Sequence, residues 1–354
     1  MAIKLSIFSV VDHYADGLRD KATLYRELIE QIVLADRLGF DTAWIAEHHF
    51  VDYGIVPNPA VLLAHLAART TRIKLGPAVA VLPFRDPRLL AEDFAMLDQL
   101  SGGRAVLGVG SGYVAPEYAG FGLSFADKHQ RFNESLAILR SLLAGKRVTY
   151  QGEYYQLNEV SLNLPPIARD VPIRIATGRK EAVAEIGRQG DSLMFMAYTL
   201  CQRIDETGPV VDLFRCARAQ AGHLPTGASV AVGLHTHVGT TDAAARASVL
   251  PAFDRYASTR VKAKRRSYDD ALDAGVVLFG SPERVAARLI DLHHMGVDEV
   301  LTLGNFGLMD SAAVDESMHR LIHEVMPMVN AELGLPASAD SPREVQKSTA
   351  AASA

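Results

Sequence analysis

The stretch that decides the fold reads Gly39-Phe40-Asp41-Thr42-Ala43-Trp44-Ile45-Ala46-Glu47-His48-His49-Phe50. Its apolar middle, residues 42–46, predicts a short buried strand, because the run follows a turn-forming glycine and carries no charge. One carboxylate and two adjacent imidazoles, those of Glu47, His48 and His49, come where that strand ends. Ligands of parallel α/β proteins bind at the carboxyl ends of the strands, so this cluster predicts a functional site.

The two histidines have a second interpretation, which the stretch alone leaves open. Successive side chains of a strand point to opposite faces, so His48 and His49 do not both face the same interior. A polar strand end with a solvated glutamate and hydrogen-bonded histidines explains the pattern equally well. A zinc site is disfavoured, since the chain has no His-Glu-x-x-His helix and no cysteine cluster, and we predict no metal.

Short apolar runs alternate with amphipathic stretches along most of the chain. Strands are predicted at residues 4–11, 42–46, 73–82, 104–109, 173–176, 192–196, 230–238 and 299–303. Helices are predicted at residues 23–38, 59–70, 87–100, 125–143, 180–188, 203–221, 242–256, 282–295 and 311–333. Repeated strand–helix units predict an α/β fold, a single (β/α)8 TIM barrel with insertions over residues 1–335, rather than two domains or a doubly wound sheet.

Three segments depart from this rhythm. Residues 146–170 form an insertion, in which two strand-like runs flank Gln151-Gly152-Glu153 and predict a small hairpin. Residues 261–272 are basic and poor in large apolar side chains, which indicates either a solvated loop or a mobile lid over the site. Residues 336–354 lack periodicity, and we expect them to be a disordered tail.

Composition narrows the class of protein and its partners. The chain has 354 residues, a hydrophobic content of 49% and a net charge of −5, which are typical of a soluble protein with a large core. That charge gives no support for nucleic-acid or membrane partners. Two cysteines, no signal-peptide layout and no apolar run of about 18 residues lead us to expect a cytoplasmic protein.

The turn Thr177-Gly178-Arg179-Lys180 stands between a predicted strand and a predicted helix. The free N–H groups and the dipole of a helix amino end favour an anion. Arg179 and Lys180 add positive charge, and Gly178 lets a ligand come close to the backbone. We predict a phosphate-binding turn here, although an ordinary turn with two solvated cations is the alternative.

Other residues that follow predicted strands would surround the same barrel mouth. The run Gly108-Val109-Gly110-Ser111-Gly112-Tyr113 lacks the Gly-x-Gly-x-x-Gly spacing of a dinucleotide-binding turn, so a tight barrel loop explains it equally well. Residues 78–83 suit the wall of a flat aromatic cofactor, and Met194 and Met196 suit a pocket. Core packing is a sufficient explanation for both.

Several motifs follow one another in an order that is more specific than any one of them. They are residues 39–50, Asn58-Pro59, residues 75–83, Asp86-Pro87, Ala91-Glu92-Asp93, residues 97–104, residues 108–113 and Glu324-Val325-Met326-Pro327. With them the chain resembles the bacterial luciferase-like family of flavin-dependent monooxygenases. The resemblance is dense over residues 3–143 and returns over residues 172–190 and 280–327.

This resemblance implies a (β/α)8 barrel that binds reduced FMN, and it implies roles for particular residues. His48 matches the histidine that acts as catalytic base, and the Ala78–Val79 bond matches a cis peptide beside the isoalloxazine ring. The cofactor-binding residues it implies are Ala78, Val79, Ser111, Ala176, Thr177, Gly178, Arg179 and Lys180. The substrate-pocket residues we expect are His49, Asn58, Tyr113, Met194 and Met196.

Two positions depart from the luciferase pattern. Gly110 and Ser111 stand where the luciferase subunit has a reactive cysteine and a phosphate-binding arginine. Light emission is therefore not expected, and Arg179 is our candidate for the missing cation.

The resemblance implies a two-component monooxygenase, in which FMNH2 from a separate reductase or the free pool reacts with O2 to give a C4a-peroxyflavin. The oxygen acceptor would be an aldehyde, sulfonate, ketone or complex natural product. The alternative is a deazaflavin-dependent hydride-transfer enzyme of the same barrel family, and a third possibility is a flavin-binding protein without turnover. We also expect a homodimer, with residues 24–38, 60–68 and 89–97 as candidate interface helices.

Overall fold

The computed structural model describes residues 3–167, 171–224, 226–259 and 266–336. Ten of its strands pair in parallel and form one sheet. A second, antiparallel sheet consists of β6 and β7 alone. In chain order the strands are β1 Lys4–Ser9, β2 Thr42–Ile45, β3 Lys74–Pro77, β4 Ala80–Val81, β5 Leu107–Gly110, β6 Val148–Gln151, β7 Gln156–Val160, β8 Ile173–Ala176, β9 Ser192–Met196, β10 Val230–Val238, β11 Val277–Gly280 and β12 Glu299–Leu303.

The large sheet curls into a nearly closed barrel. Its hydrogen-bonded order is β3-β2-β1-β12-β10-β9-β8-β5-β4, and a parallel bridge between Leu75 and Ala105 brings the two ends of the sheet together. Parallel neighbours need a crossover connection, which the helices between the strands supply. The prediction of an α/β TIM barrel is confirmed.

Two strand predictions differ from the structure. The run predicted at residues 73–82 is divided into β3 and β4 at a cis peptide bond between Ala78 and Val79. Strand β11 is absent from the prediction, and it pairs with the carboxyl-terminal half of β10. It is a buried run of four residues, too short to show a periodicity that separates a strand from a helix.

Helices cover the outside of the barrel, and several begin at a side-chain cap. Asn58 caps the helix that starts at Pro59, since its Oδ1 accepts the N–H of Ala60 at 3.1 Å. Helices α4, α7 and α10 are short and were not predicted. In chain order the helices are α1 Lys21–Leu38, α2 Pro59–Ala67, α3 Pro87–Ser101, α4 Ala115–Gly120, α5 Lys128–Leu143, α6 Lys180–Arg188, α7 Ala197–Leu200, α8 Thr207–Gln220, α9 Asp242–Thr259, α10 Tyr268–Asp273, α11 Pro282–His294, α12 Ser311–Arg320 and α13 Met326–Glu332.

A buried polar network fills part of the barrel. Glu299 Oε1 accepts hydrogen bonds from Ser6 Oγ at 2.6 Å and from Trp44 Nε1 at 2.9 Å. Arg174 Nη2 lies 2.6 Å from the other oxygen of the same carboxylate, so the buried charge is paired. Because Glu299 is the first residue of β12, this network lies toward the amino ends of the strands and leaves the opposite end of the barrel for a ligand.

The insertion contains the predicted hairpin, and helix α5 holds its turn. Glu134 accepts the backbone N–H groups of Glu153 and Tyr154 at 2.9 and 3.0 Å. A Cβ atom on Gly152 would lie 2.3 Å from Glu134 Oε2, so the turn needs a glycine where the carboxylate approaches it. These contacts fix the hairpin against α5, and whether the insertion touches substrate stays a prediction.

The predicted lid and tail fall partly outside the described residues. Residues 260–265 and 337–354 lie outside them. The remainder of the lid segment corrects the prediction of a solvated loop, because α10 buries Tyr268, whose ring stacks on Phe279 at 5.6 Å. A capping box between Ser267 and Asp270 starts this helix. Among the described helices, none is long and apolar enough to cross a membrane.

Candidate active site

His48 and Glu117 form a buried pair at the carboxyl end of β2. His48 is 7% exposed and Glu117 is 1% exposed. Nδ1 of His48 lies 2.8 Å from Glu117 Oε1, and the same oxygen accepts the backbone N–H of His49 at 3.0 Å. The carboxylate belongs to α4, which follows the glycine-rich exit of β5. Two neighbouring loops of the mouth therefore meet at one histidine.

The other ring nitrogen of His48, Nε2, is the one left for a ligand. Within the described ranges, no protein group hydrogen-bonds to this atom. The ring of Tyr53 packs edge-on against the imidazole, with centroids 4.6 Å apart, and the ring of Tyr113 does so at 6.2 Å. His48 thus combines a nitrogen held by a carboxylate with a nitrogen available for proton transfer.

Tyr53 is itself held in place beside His48. Its hydroxyl lies 3.0 Å from the hydroxyl of Tyr256, which is buried on α9. The neighbouring Gly54 allows the loop to approach the imidazole, since a Cβ atom there would lie 2.8 Å from His48 Cδ2 and 2.9 Å from the carbonyl oxygen of Val10. The loop after β2 therefore packs tightly around His48.

His48 and His49 follow the end of β2 at Ile45, and their rings contact different partners. Nε2 of His49 lies 2.9 Å from Glu47 Oε1, and the ring of His49 packs against Phe84 and Phe121. Burial raises the pKa of the Glu47 carboxyl, although the contact with His49 and the N–H of Val81 act in the opposite direction. Glu47 thus joins His49 to the backbone of β4, and the predicted place of His49 in the substrate pocket stays a prediction.

Ala78 and Val79 lie beside the glycine-rich exit of β5. The cis peptide expected between them is present. A Cβ atom on Gly110 would lie 2.8 Å from Val79 Cγ2, so the glycine makes room for Val79 where the luciferase pattern has a cysteine. The carbonyl oxygen of the adjacent Ser111 accepts a hydrogen bond from the hydroxyl of Tyr118.

Arg179 stands at the exit of β8 with a second basic group. Its Nη1 lies 2.9 Å from Nε2 of His129, a residue in the first turn of α5. Lost hydration, followed by the charges of Arg179 and Lys128, lowers the pKa of His129. Three basic side chains brought so close favour an anion between them.

The amino end of α6 adds backbone donors to this group. Among the described residues, no side chain caps the helix, and the Thr177 hydroxyl accepts the backbone N–H of Arg179 at 3.1 Å. A guanidinium, an imidazole and uncapped N–H groups make a donor set that fits a phosphate, such as that of FMN. Lys180 forms an ion pair with Glu206 at 2.8 Å, so its charge is compensated locally.

The remaining predicted site residues have clear packing roles. Asn58 Oδ1 accepts Arg85 Nη1 at 3.1 Å in addition to capping α2. Met194 is buried, and Met196 lies against Gly233, where a Cβ atom would meet its sulfur at 2.2 Å. Ala176 ends β8 directly before the Thr177 turn. Their contacts with cofactor or substrate stay predictions.

Glu117, Tyr53 and His129 are the site residues that the sequence analysis missed. A signal for Glu117 was present, because Pro116 directly before it marks the first turn of a helix after the glycine-rich exit. Neither Tyr53 nor His129 has a comparable local signal. Among the described residues, no group of three or more histidine, cysteine or acidic side chains has the arrangement of a metal site.

Comparisons with known proteins agree with this architecture. The profile of the luciferase-like monooxygenases matches residues 3–299. The structure of the monooxygenase RslO1 from Streptomyces bottropensis superposes with a TM-score of 0.84 and 25% identity, covering 92% of this chain and 99% of that one.

The proteins of similar sequence include a monooxygenase and an F420-dependent dehydrogenase. Limonene 1,2-monooxygenase of Rhodococcus erythropolis is 28% identical over 319 residues, 87% of this chain and 81% of that protein. An F420-dependent glucose-6-phosphate dehydrogenase of Kineococcus radiotolerans is 35% identical over 197 residues, 53% of this chain and 55% of that protein. The chain also spans about half the length, 51%, of the uncharacterized protein y4vJ of Sinorhizobium fredii, at 38% identity over 180 residues and 51% of this chain. Since the profile covers nearly the whole described barrel, the chain belongs to the luciferase-like monooxygenase family, which includes monooxygenases and F420-dependent dehydrogenases.

Proposed function

We propose that this protein is an FMN-dependent monooxygenase that uses reduced FMN and O2 to oxygenate a small organic substrate. The observation that carries the proposal is the His48–Glu117 pair, with one imidazole nitrogen left open at the mouth of the barrel. An imidazole held on one side by a carboxylate is suited to general acid–base work on its other side. The rings of Tyr53 and Tyr113 pack edge-on against the same imidazole and would border a bound substrate.

Different residues around the mouth would bind the phosphate and the ring system of the flavin. When bound, reduced FMN supplies the two electrons that activate dioxygen. Arg179, His129 and the amino end of α6 would hold the phosphate, and Ala78 and Val79 would border the ring system. Nε2 of His48 would take a proton from the reacting group or return one to it.

A second candidate is a deazaflavin-dependent oxidoreductase that transfers hydride without O2. The similarity to the F420-dependent dehydrogenase of Kineococcus radiotolerans favours it, although that similarity spans only about half of each chain. The similarity to limonene 1,2-monooxygenase covers 87% of this chain and supports the monooxygenase. The mouth as described suits either flavin, because both carry a phosphate.

A cofactor-exchange experiment separates the two candidates. Reduced FMN and reduced F420 are titrated anaerobically into the protein, and air-saturated buffer is then added in a stopped-flow instrument. We expect reduced FMN to bind more tightly, and ¹⁸O from ¹⁸O₂ to appear in the product of a substrate found by screening. Tight F420 binding with O2-independent turnover would instead establish the second candidate, and binding of neither would reject both.

Reduced flavin would reach this protein from a separate flavin reductase or from the free pool. The described residues form one barrel, and the glycine-rich run at residues 108–113 lacks the spacing of a dinucleotide-binding turn. Product formation should therefore require either an added reductase with NAD(P)H or chemically reduced FMN. Turnover with NAD(P)H and oxidised FMN alone would contradict the two-component arrangement.

Arg179→Ala tests the phosphate site. We expect FMNH2 binding to weaken by about 1–3 kcal/mol, the range for losing a hydrogen bond to a charged group. Reduced riboflavin has no phosphate, so its affinity should change little. Anaerobic titrations of both flavins measure the difference. Lys180→Ala is the matched control, since Lys180 pairs with Glu206, and equal losses for both flavins in Arg179→Ala would contradict the assignment.

We also propose that the protein is a homodimer joined through α2 and α3. The exposed sides of these helices carry Val61, Leu89, Met96 and Leu100, with Leu89 56% exposed and Leu100 60% exposed. Helix α1 was a third candidate, but it exposes charged side chains such as Arg26, Glu30 and Arg37. Exposed apolar side chains on two helices that pack together are typical of an interface between subunits.

Met96→Asp and Leu89→Asp test the proposed interface. A carboxylate placed in an apolar interface loses its hydration without gaining a partner, so we expect the dimer to dissociate at micromolar concentration. Sedimentation velocity measures the change, and Leu213→Asp, on the exposed side of α8, is the matched control. A wild-type monomer, or a dimer that survives both substitutions, would reject this interface.

A further inference from the structure

Among the described residues, Glu117 is the one buried carboxylate that contacts the proposed proton-transfer residue, and side-chain contacts hold the helix that carries it. Tyr118, its neighbour in α4, donates a hydrogen bond to the carbonyl oxygen of Ser111 and packs against Phe84 at 4.7 Å. Gly112 has a φ of 69° and lies close to both Val81 and Tyr118, so the turn before α4 has little freedom. Glu117 is thereby placed without help from a ligand.

The contacts of Glu117 decide which nitrogen of His48 carries the proton. A backbone N–H only donates, so Oε1 of Glu117 is an acceptor for His49 N–H at 3.0 Å. The same oxygen faces Nδ1 of His48 at 2.8 Å. An ionised carboxylate only accepts hydrogen bonds, so the favourable contact is one in which Nδ1 of His48 carries the hydrogen. In the neutral ring Nε2 then carries a lone pair and can accept a proton.

We propose that Glu117 is the positioning residue for His48, which it holds as the Nδ1–H tautomer with the basic Nε2 directed to the mouth. This inference rests on the proposed function only for the use made of His48. The tautomer itself is a property of the protein alone. The carboxylate also accompanies the imidazolium when Nε2 takes up a proton, so the charge formed during proton transfer has a partner already in place.

The other acidic group nearby does not share this role. Glu47 contacts Nε2 of His49 and the N–H of Val81, and neither contact involves His48. The other titratable groups packed against His48 are the phenols of Tyr53 and Tyr113, which contact it through their rings. Glu47→Gln is therefore a matched control for Glu117→Gln, because it changes a buried carboxyl that contacts His49 and leaves the His48–Glu117 contact unchanged.

Nitrogen NMR of the full chain labelled with ¹⁵N-histidine tests the proposal without any cofactor. His48 signals are assigned with His48→Gln, and spectra are recorded above the ordinary titration range of histidine. We expect the Nδ1–H form to predominate in the wild type by roughly tenfold to hundredfold, the equilibrium factor of a hydrogen bond to a charged group. In Glu117→Gln that preference should fall at least severalfold, whereas Glu47→Gln should leave it unchanged.

Each outcome decides the proposal. A wild-type His48 that is mainly the Nε2–H tautomer would overturn it, even if Glu117→Gln fails to fold. An unchanged tautomer ratio in a folded Glu117→Gln protein, with a native circular dichroism spectrum, would overturn it as well. Weak FMNH2 binding with the expected tautomers would reject the proposed function and keep the role of Glu117, so the two failures are distinguishable.

Discussion

His48→Ala is expected to lower turnover by roughly 10²–10⁴-fold, the contribution of a positioned general acid or base. Nδ1 of the imidazole lies on the buried carboxylate of Glu117, and among the described residues its Nε2 has no hydrogen-bond partner. Its removal leaves Glu117 hydrogen-bonded to His49 N–H, so the local backbone keeps its anchor. FMNH2 binding should therefore change much less than turnover.

The measurement compares steady-state product formation with anaerobic flavin affinity for the same preparations. His49→Gln is the matched control, because His49 is equally buried but its Nε2 contacts Glu47 rather than Glu117. We expect a loss in kcat for His48→Ala and a much smaller one for His49→Gln. Near wild-type product formation by His48→Ala would remove His48 from the mechanism, whatever the flavin affinity.

His237 is expected to make the fold sensitive to mild acid. It is 4% exposed on β10, and among the described residues its Nδ1 has no hydrogen-bond partner. Burial, followed by the charge of Arg320, lowers the pKa of His237 to about 4, while Glu316 acts in the opposite direction. The unfolded chain, with a histidine pKa near 6.5, binds this proton more readily than the native state does.

The sign of the effect follows from that difference. Stability contributed by neutral His237 is complete above about pH 6.5 and is lost as pH falls toward about 4, by about 3 kcal/mol in total. Urea unfolding at about pH 7.5 and about pH 5 should show part of this loss, about 2 kcal/mol, in the wild type.

His237→Gln isolates the contribution of this one group. The variant cannot gain a charge at position 237, so its loss of stability between the two pH values should be smaller than that of the wild type by about 2 kcal/mol. His319→Gln, at an exposed position of α12, is the matched control and should keep the wild-type pH dependence. An identical pH dependence in His237→Gln would mean that another group causes the acid sensitivity.

The sequence was sufficient for the barrel because its signals are local. Eight predicted strands correspond to strands of the sheet, and those at residues 173–176, 192–196, 230–238 and 299–303 coincide with β8, β9, β10 and β12. An apolar run bounded by Gly, Pro or Asn indicates a strand from its own residues, whichever strands it pairs with. The same pattern failed for β11, which is short and precedes a helix directly.

For the candidate site, the sequence predicted some features, and others are seen only in the structure. The sequence predicts His48 at a strand end, His49 on the opposite face of that strand, and a basic turn at Arg179. Each of these predictions depends on neighbouring residues alone. Lys180 was predicted from charge alone; in the structure it forms an ion pair with Glu206, and its contact with a cofactor stays a prediction. Charge in a turn indicates an anion site, but which cation is available depends on residues far away in the chain.

The sequence alone thus determined the barrel, eight of its strands and the type of residue at its mouth, whereas β11 and the short helices were found only in the structure. Only the tertiary structure decided the partners: Glu117 for His48, 69 residues later in the chain, and His129 for Arg179, 50 residues earlier. Periodicity comes from the repeat of one helix or strand, whereas a contact between two loops depends on closing the barrel. Hydrogen bonds across that closure fix the tautomer and the charge, and no local pattern encodes them.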